Sequence, residues 1–366
     1  MNYNSFKTLK RSDAEFEDYL WGAGSHIKNR TIPLPIKTLN LGEKNETVTF
    51  QVFTDYEIQK PKKIDFLIAL IKLHTYVLIL MPLFFVLVKN FVDERLWDPY
   101  SITFSAVATM LLYAGLNIRN DVSDHIYGYD RVNILKSNKP IARGWITARK
   151  ASIISWIVIG LAFLFSIPAL IMQPELRRIL TVVLILFLIG QFAKKNIYKY
   201  SRLGEVILFL IAGPGLIAGY QVSLGGGIDT EVLAFGILWG IAVLFLIHVN
   251  NFSHILTSSQ AGIVNTVTRM GFDQAQKFLI IWWCVYCSMW LVFHLCYASL
   301  IWTIFGTIVL VLWSVPLFSK ILKIRSPLGS DLDLIRKEAY KIFLMMIFIF
   351  FAENFWYLGE KLKWNY

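Results

Sequence analysis

Apolar stretches close to 20 residues long recur from position 67 to position 358, separated by short polar segments, and this is the dominant pattern of the chain. They fall at about 67–89, 101–119, 149–172, 179–196, 203–223, 231–252, 275–296, 298–319 and 340–358. Each is long enough to cross a hydrocarbon core as a helix. Transmembrane strands would instead show segments of about ten residues with alternating polarity. The expected fold class is therefore an all-α integral membrane protein, a bundle of about nine transmembrane helices, over residues 65–366. Residues 1–64 form a polar extension of unassigned role. Within it, the alternation and turn residues of IPLPIKTLNLGEKNETVTFQVFTDYEI, around Gly42 to Asn45, predict a small hairpin. Gly213, Pro214 and Gly215 are expected to kink the fifth span and open room beside it.

Composition agrees with the pattern: hydrophobic residues make up 56% of the 366, aromatic residues 15%, and mean hydropathy is +0.53. The net charge of +11 raises nucleic acid as a partner, but the placement of the basic residues argues against it. Most lie before the first span or in the loops joining even to odd spans. By the positive-inside rule that side, with the N-terminus, is expected to be cytoplasmic, in contact with anionic lipid or an anionic substrate. Residues 1–60 contain no apolar centre of a signal peptide, so the first span is expected to be its own anchor. The N-E-T at Asn45 is then an accidental match to a glycosylation acceptor. Cys284, Cys287 and Cys296 lie in or beside the seventh span and read as packing residues.

Chemistry concentrates where the second span ends. Asn117, Asn120, Asp121 and Asp124 share one helix face, and a helix reaching about Gly128 aims two amides and two carboxylates at one place. Gly128 then permits a sharp turn that returns Asp130 to the cluster. A merely solvated loop has no reason to keep this periodicity, and ionisable groups at a membrane boundary usually mark a functional site. An oxygen-only donor set suits magnesium. A second polar face, with Asn250, Asn251, His254 and Ser258, starts where the sixth span ends, on the same side by the odd-even count. A transporter is disfavoured because the acidic groups sit at one membrane face, not at the midplane.

These segments resemble the UbiA superfamily of intramembrane prenyltransferases, and most of all its MenA-type naphthoate prenyltransferases. The family motif N-D-x-x-D-x-x-x-G-x-D is matched at every specified position from Asn120 to Asp130. NKPIARGWIT, residues 138–147, resembles the family's R-P-L-P-S-G-R-I-S, with Lys139 in the arginine place. Leu203-Gly204-Glu205 with Gly213-Pro214 resembles the L-G-E and G-P elements of the MenA branch. Residues 250–265 follow the frame N-N-x-R-D-x-x-x-D-x-x-x-G-K-x-T, but His254 and Ser258 replace the two aspartates. Ser253 and Ile263 replace the arginine and the lysine.

The resemblance implies transfer of a prenyl group from an isoprenoid diphosphate to a lipophilic, quinone-precursor-like aromatic acceptor within lipid. It implies Mg2+ held by Asn120, Asp121, Asp124 and Asp130, with Asp121, Asp124, Asp130 and His254 as catalytic residues. Substrate contacts are expected from Asn117, Asn120, Arg131, Lys139, Lys194, Lys195, Glu205, Asn250 and Asn251. Because imidazole and hydroxyl do not replace carboxylates for magnesium, one strong metal site is expected. The altered second motif leaves open a cyclase or lyase acting on the same diphosphate, and a non-catalytic isoprenoid-binding relative.

Overall fold

The computed structural model describes residues 5–22, 30–35, 41–53, 58–94, 98–132, 139–192, 203–327 and 331–364. Eight helices among them are long and apolar enough to cross a membrane: Leu73–Val92, Pro99–Ile126, Ala148–Met172, Leu203–Ser223, Thr230–Ser253, Thr266–Tyr297, Leu300–Lys323 and Leu334–Leu362. They coincide with eight of the nine expected spans. The ninth, 179–196, overlaps helix Pro174–Phe192, and its last residues lie outside the described ones. The chain is an integral, multi-pass membrane protein.

Residues cluster into two compact units, the first of 1–76, 107–165 and 260–262, the second of 77–106, 166–259 and 263–366. The first unit begins with strand β1 (Ser5–Lys10), helix α1 (Phe16–Trp21), and strands β2 (Arg30–Pro33) and β3 (Thr47–Phe53). The expected antiparallel pairing of β2 with β3 is present, Ile32 opposite Gln51. β1, which the hydrophobic pattern did not single out, pairs with the other edge of β3, so β3 is central. Alternation explains the buried face: Val48 and Phe50 turn inward with Leu9, Phe16 and Leu20, and Ile126 packs against them.

Helix α2 (Lys63–Ile71) follows, and here the expected continuous first span is broken. Lys72 takes a left-handed conformation, φ 55° and ψ 52°, a short 3-10 turn covers Leu73–Thr75, and α3 (Val77–Val92) continues. Helix α4 (Pro99–Ile126), the four-residue α5 (Tyr129–Val132) and α6 (Ala148–Met172) come next. In the first unit Leu70, Ile118, Val122, Ile141, Ile146 and Ala151 form a second core. Gly115 lets α4 approach α6 closely, since a Cβ there would lie 2.6 Å from Ile159 Cγ1.

The second unit continues with α7 (Pro174–Phe192), α8 (Leu203–Leu210), a π-helical turn at Ile211–Gly215, α9 (Leu216–Ser223) and α10 (Thr230–Ser253). It ends with α11 (Ile255–Gln260), α12 (Thr266–Tyr297), α13 (Leu300–Lys323) and α14 (Asp331–Trp364). The break expected at Gly213-Pro214-Gly215 takes the form of that π turn, one of the usual ways a helix accommodates a missing N–H. α10 is apolar nearly all round because it is buried nearly all round. Phe235 stacks on Phe85 at 3.7 Å, and Trp239 donates to the Leu78 carbonyl at 3.2 Å. The buried Asn90 and Gln221 side chains pair amide to amide, satisfying both in an apolar setting.

The π turn reaches α10 through glycines. A Cβ on Gly213 would stand 2.6 Å from the Gly236 carbonyl oxygen and 2.7 Å from Gly240 Cα, both backbone atoms unable to yield. Gly213→Val is expected to cost about 1–3 kcal/mol or more by overpacking. A thermal-denaturation midpoint in detergent equal to that of the native chain would contradict this account of the helix contact.

Candidate functional site

The first unit carries the acidic cluster. The 3.6-residue period of α4 stacks Asn117, Asp121 and Asp124 along one face, and both carboxylates are buried, 1% and 4% exposed. Gly128 adopts φ 86°, ending the helix in the left-handed turn its missing side chain allows. α5 then brings Asp130 back to the others, as the spacing predicted. Lys139 stands at the centre: its Nζ lies 2.5 Å from Asp124 Oδ2, 2.8 Å from Asp130 Oδ1 and 3.7 Å from Asp121 Oδ1. Lys72 Nζ donates to Asp121 Oδ1 at 2.7 Å. Asn117 donates to the Ile71 carbonyl at 3.1 Å, tying α4 to the segment that presents Lys72. Asn120 is half-buried beside Asp121.

Three carboxylates against two ammonium groups leave the cluster formally one charge negative. Burial raises the Asp130 carboxyl above its ordinary range, with Asp124 and Asp121 adding to the rise against the pull of Lys139. Burial disfavours the Lys139 charge, but Asp124, Asp130 and Asp121 outweigh it and hold the ammonium well above its usual value. Asp121 Oδ2 and Asp130 Oδ2 are buried and have no hydrogen-bond partner among the described residues. Oxygen donors of this kind are the chemistry a hard divalent ion takes, and these two are left without a hydrogen bond. As they stand, no three or more His, Cys, Asp or Glu side chains among the described residues are placed to hold a metal ion. The centre is taken by the Lys139 ammonium, so an ion would share or displace that position.

Arg131 is turned elsewhere. It is 1% exposed, its Nη2 pairs with Glu46 Oε1 at 2.6 Å, and its Nη1 donates to the His125 carbonyl at 3.0 Å. Burial would raise the Glu46 carboxyl, but Arg131, the Gly42 N–H and Arg11 together hold it below the ordinary glutamate value.

In the second unit, Asn250 and Asn251 close α10, with Asn250 exposed, and His254 caps the helix. His254 Nε2 lies 3.0 Å from Arg336 Nη1, so the ring nitrogen accepts from the guanidinium and is unprotonated there. Ser258 is buried, its N–H bonded to the His254 carbonyl at 2.8 Å. Glu205 receives the Thr266 hydroxyl and, at 3.3 Å, the Thr266 N–H, bracing the start of α12 where Asn265 and Thr268 form a reciprocal cap. His248 Nε2 lies 3.5 Å from Glu205, beyond a hydrogen bond. Lys194 and Lys195 lie outside the described residues.

Two residues of the cluster's surroundings escaped the sequence reading. Lys72 carried a signal, a lone charge inside an apolar span. Glu46 carried none, because its partner is 85 residues away.

The model of the UbiA prenyltransferase family matches residues 79–329. The chain belongs to the UbiA prenyltransferase family. Solved UbiA structures agree with that membership at the level of the fold. A UbiA homolog from Archaeoglobus fulgidus bound to DMAPP and Mg2+ is 13% identical, with a TM-score of 0.56 over 79% of this chain and 98% of that one. The same homolog bound to GPP and Mg2+ gives 0.54 at 13% identity, over 79% and 99%. An apo UbiA homolog from Aeropyrum pernix K1 gives 0.56 at 15% identity, over 75% and 95%. No curated protein matches the chain by sequence. As a UbiA protein, the chain has the fold of a membrane prenyltransferase.

Proposed function

We propose that this UbiA protein transfers a prenyl group from an isoprenoid diphosphate to a lipophilic, quinone-precursor-like aromatic acceptor, and that it stands nearest the MenA branch. The observation that carries the proposal is the convergence of Asp121, Asp124 and Asp130 on one cation position, the Lys139 ammonium, with two further buried carboxylate oxygens left without a hydrogen bond among the described residues. UbiA homologs bound to DMAPP or GPP together with Mg2+ support the same chemistry here. Mg2+ bound there would neutralise charge on the departing diphosphate. Asp121, Asp124 and Asp130 hold that position, with Asn120 beside them. Lys139 and Lys72, as point charges on flexible stems, are placed to follow phosphate oxygens. The allylic C–O bond breaks with its electron pair leaving on diphosphate. The prenyl carbon then bonds to an acceptor ring carbon, whose proton passes to diphosphate or water.

The second motif is read as having lost its metal. His254 accepts from Arg336 of α14, so a guanidinium stands against the position where the family pattern has a carboxylate. One bound Mg2+ per chain is the expected stoichiometry. Asn250 and Asn251 are taken as amide contacts to substrate, and Glu205, which braces the start of α12, as a further substrate contact. The same loss favours a second reading, a cyclase or lyase of the diphosphate. The N-terminus and both motif segments are taken to face the cytoplasm. The test is release of diphosphate from a panel of isoprenoid diphosphates by the protein in lipid with Mg2+, with and without aromatic acceptors. Release that rises with an acceptor supports transfer, acceptor-independent release favours the cyclase, and binding without release sinks both.

A further inference from the structure

We propose that the N-terminal sheet is a brace for the metal-ligand turn, with Glu46 as a positioning residue that acts through Arg131 to hold Asp130 in the cluster. The sheet, residues 5–53, lies outside the matched family region, which begins at 79, so no part of the proposed reaction assigns it a task. Its apolar contacts reach Gly144, Thr147 and, through Trp21, the Leu70 and Ile118 core, while its polar ties gather on one short segment, His125 to Arg131, the turn between two of the carboxylates.

Four ties are present. Glu46, 1% exposed at the entry to β3, accepts from Arg131 Nη2 at 2.6 Å, and its other oxygen accepts from Arg11 Nε and the Gly42 N–H, each at 2.9 Å. Arg131 passes the tie back across the turn, donating from Nη1 to the His125 carbonyl. The His125 ring shares a hydrogen bond of 3.0 Å with the Leu20 carbonyl at the end of α1. Arg11 Nη2 reaches the Ile126 carbonyl at 3.4 Å, and Leu41 packs over Gly128.

α5 has four residues, too few to hold a helix by its own hydrogen bonds. Its position is therefore set from outside: Lys139 holds the Asp130 carboxylate, and the N-terminal residues Glu46, Arg11 and Leu20 hold the backbone on either side of it. Asp130 precedes Arg131 directly, so the guanidinium fixes the backbone that aims the carboxylate. Groups that orient a metal ligand change metal affinity by about 10–100-fold when removed. The metal arm of this inference rests on the function proposed above. The backbone arm does not.

The test uses the full chain in lipid nanodiscs with Glu46→Gln, and a second variant, Glu46→Leu with Arg131→Leu, which removes the pair without leaving one buried charge. Two quantities are read: amide exchange over 125–132 without divalent ion, and Mn2+ affinity by electron paramagnetic resonance. Faster exchange over 125–132 at unchanged protection of α10, with Mn2+ bound about tenfold more weakly and Glu46→Asp recovering part of the loss, is the expected result. Native protection of 125–132 in the folded variants overturns the brace. Faster exchange with unchanged Mn2+ affinity overturns the positioning role. If the native chain itself binds no Mn2+, the metal reading above fails, and exchange still decides the brace.

Discussion

Asp124→Ala is expected to lower diphosphate release on the order of a thousandfold, because each 1.36 kcal/mol is tenfold and a metal clamp supplies several. Asp124 is the last of the α4 carboxylates, 4% exposed, with Oδ2 2.5 Å from Lys139. Removing it leaves two carboxylates against two ammonium groups, a neutral set, so the fold should persist. That separates the expected loss of chemistry from a loss of folding, which circular dichroism and gel filtration in detergent would register. Asp124→Asn keeps the shape and removes only the charge, and it should fall nearly as far. Release within tenfold of the native rate in either variant would remove this cluster from the reaction.

A different outcome is expected at the centre of the cluster. Lys139→Met leaves Asp121, Asp124 and Asp130 facing Lys72 alone, a surplus of two negative charges in a buried place. Breaking a buried ion pair by removing one partner costs about 3–5 kcal/mol. The variant should therefore melt well below the native chain without divalent ion, and millimolar Mg2+ should recover much of the loss, since a ligand bound only by the folded state stabilises it. The native chain, with Lys139 already in place, should respond to Mg2+ far less. Lys139→Arg keeps the charge but spreads it over a planar fork, and an intermediate response is expected. The check is the melting midpoint of the three proteins across a Mg2+ titration. Equal midpoints for Lys139→Met with and without Mg2+ would show that no divalent ion uses this position.

Much of the membrane part was legible as pattern because lipid imposes a one-dimensional rule: each span must be apolar over a fixed length. The helices that extend past the expected bounds do so in polar segments, where hydropathy is silent. α12 begins at Thr266, not near 275, on the strength of the Asn265 cap, and crosses a break at Gly271, φ 74°. α14 runs on through charged helix formers at both ends, so only its middle reads as a span. The acidic face was legible for a related reason, since helical period and one glycine turn place Asp121, Asp124 and Asp130 together by local geometry alone.

Determined by the sequence itself, then, were the membrane helices, the carboxylate face of α4, and the turn at Gly128. All depend on contacts between residues a few positions apart, or between each residue and lipid. Only the tertiary structure decided that Lys72 leaves the first span in a left-handed conformation to reach Asp121, that Lys139 sits among the carboxylates, and that Arg131 turns to Glu46. It also decided that β1 joins the sheet and that the sheet grips the turn. Those are pairings between distant charges and strand edges. Composition shows that such partners exist, but the choice among them depends on which groups burial leaves without water, and that is set only when the chain is packed.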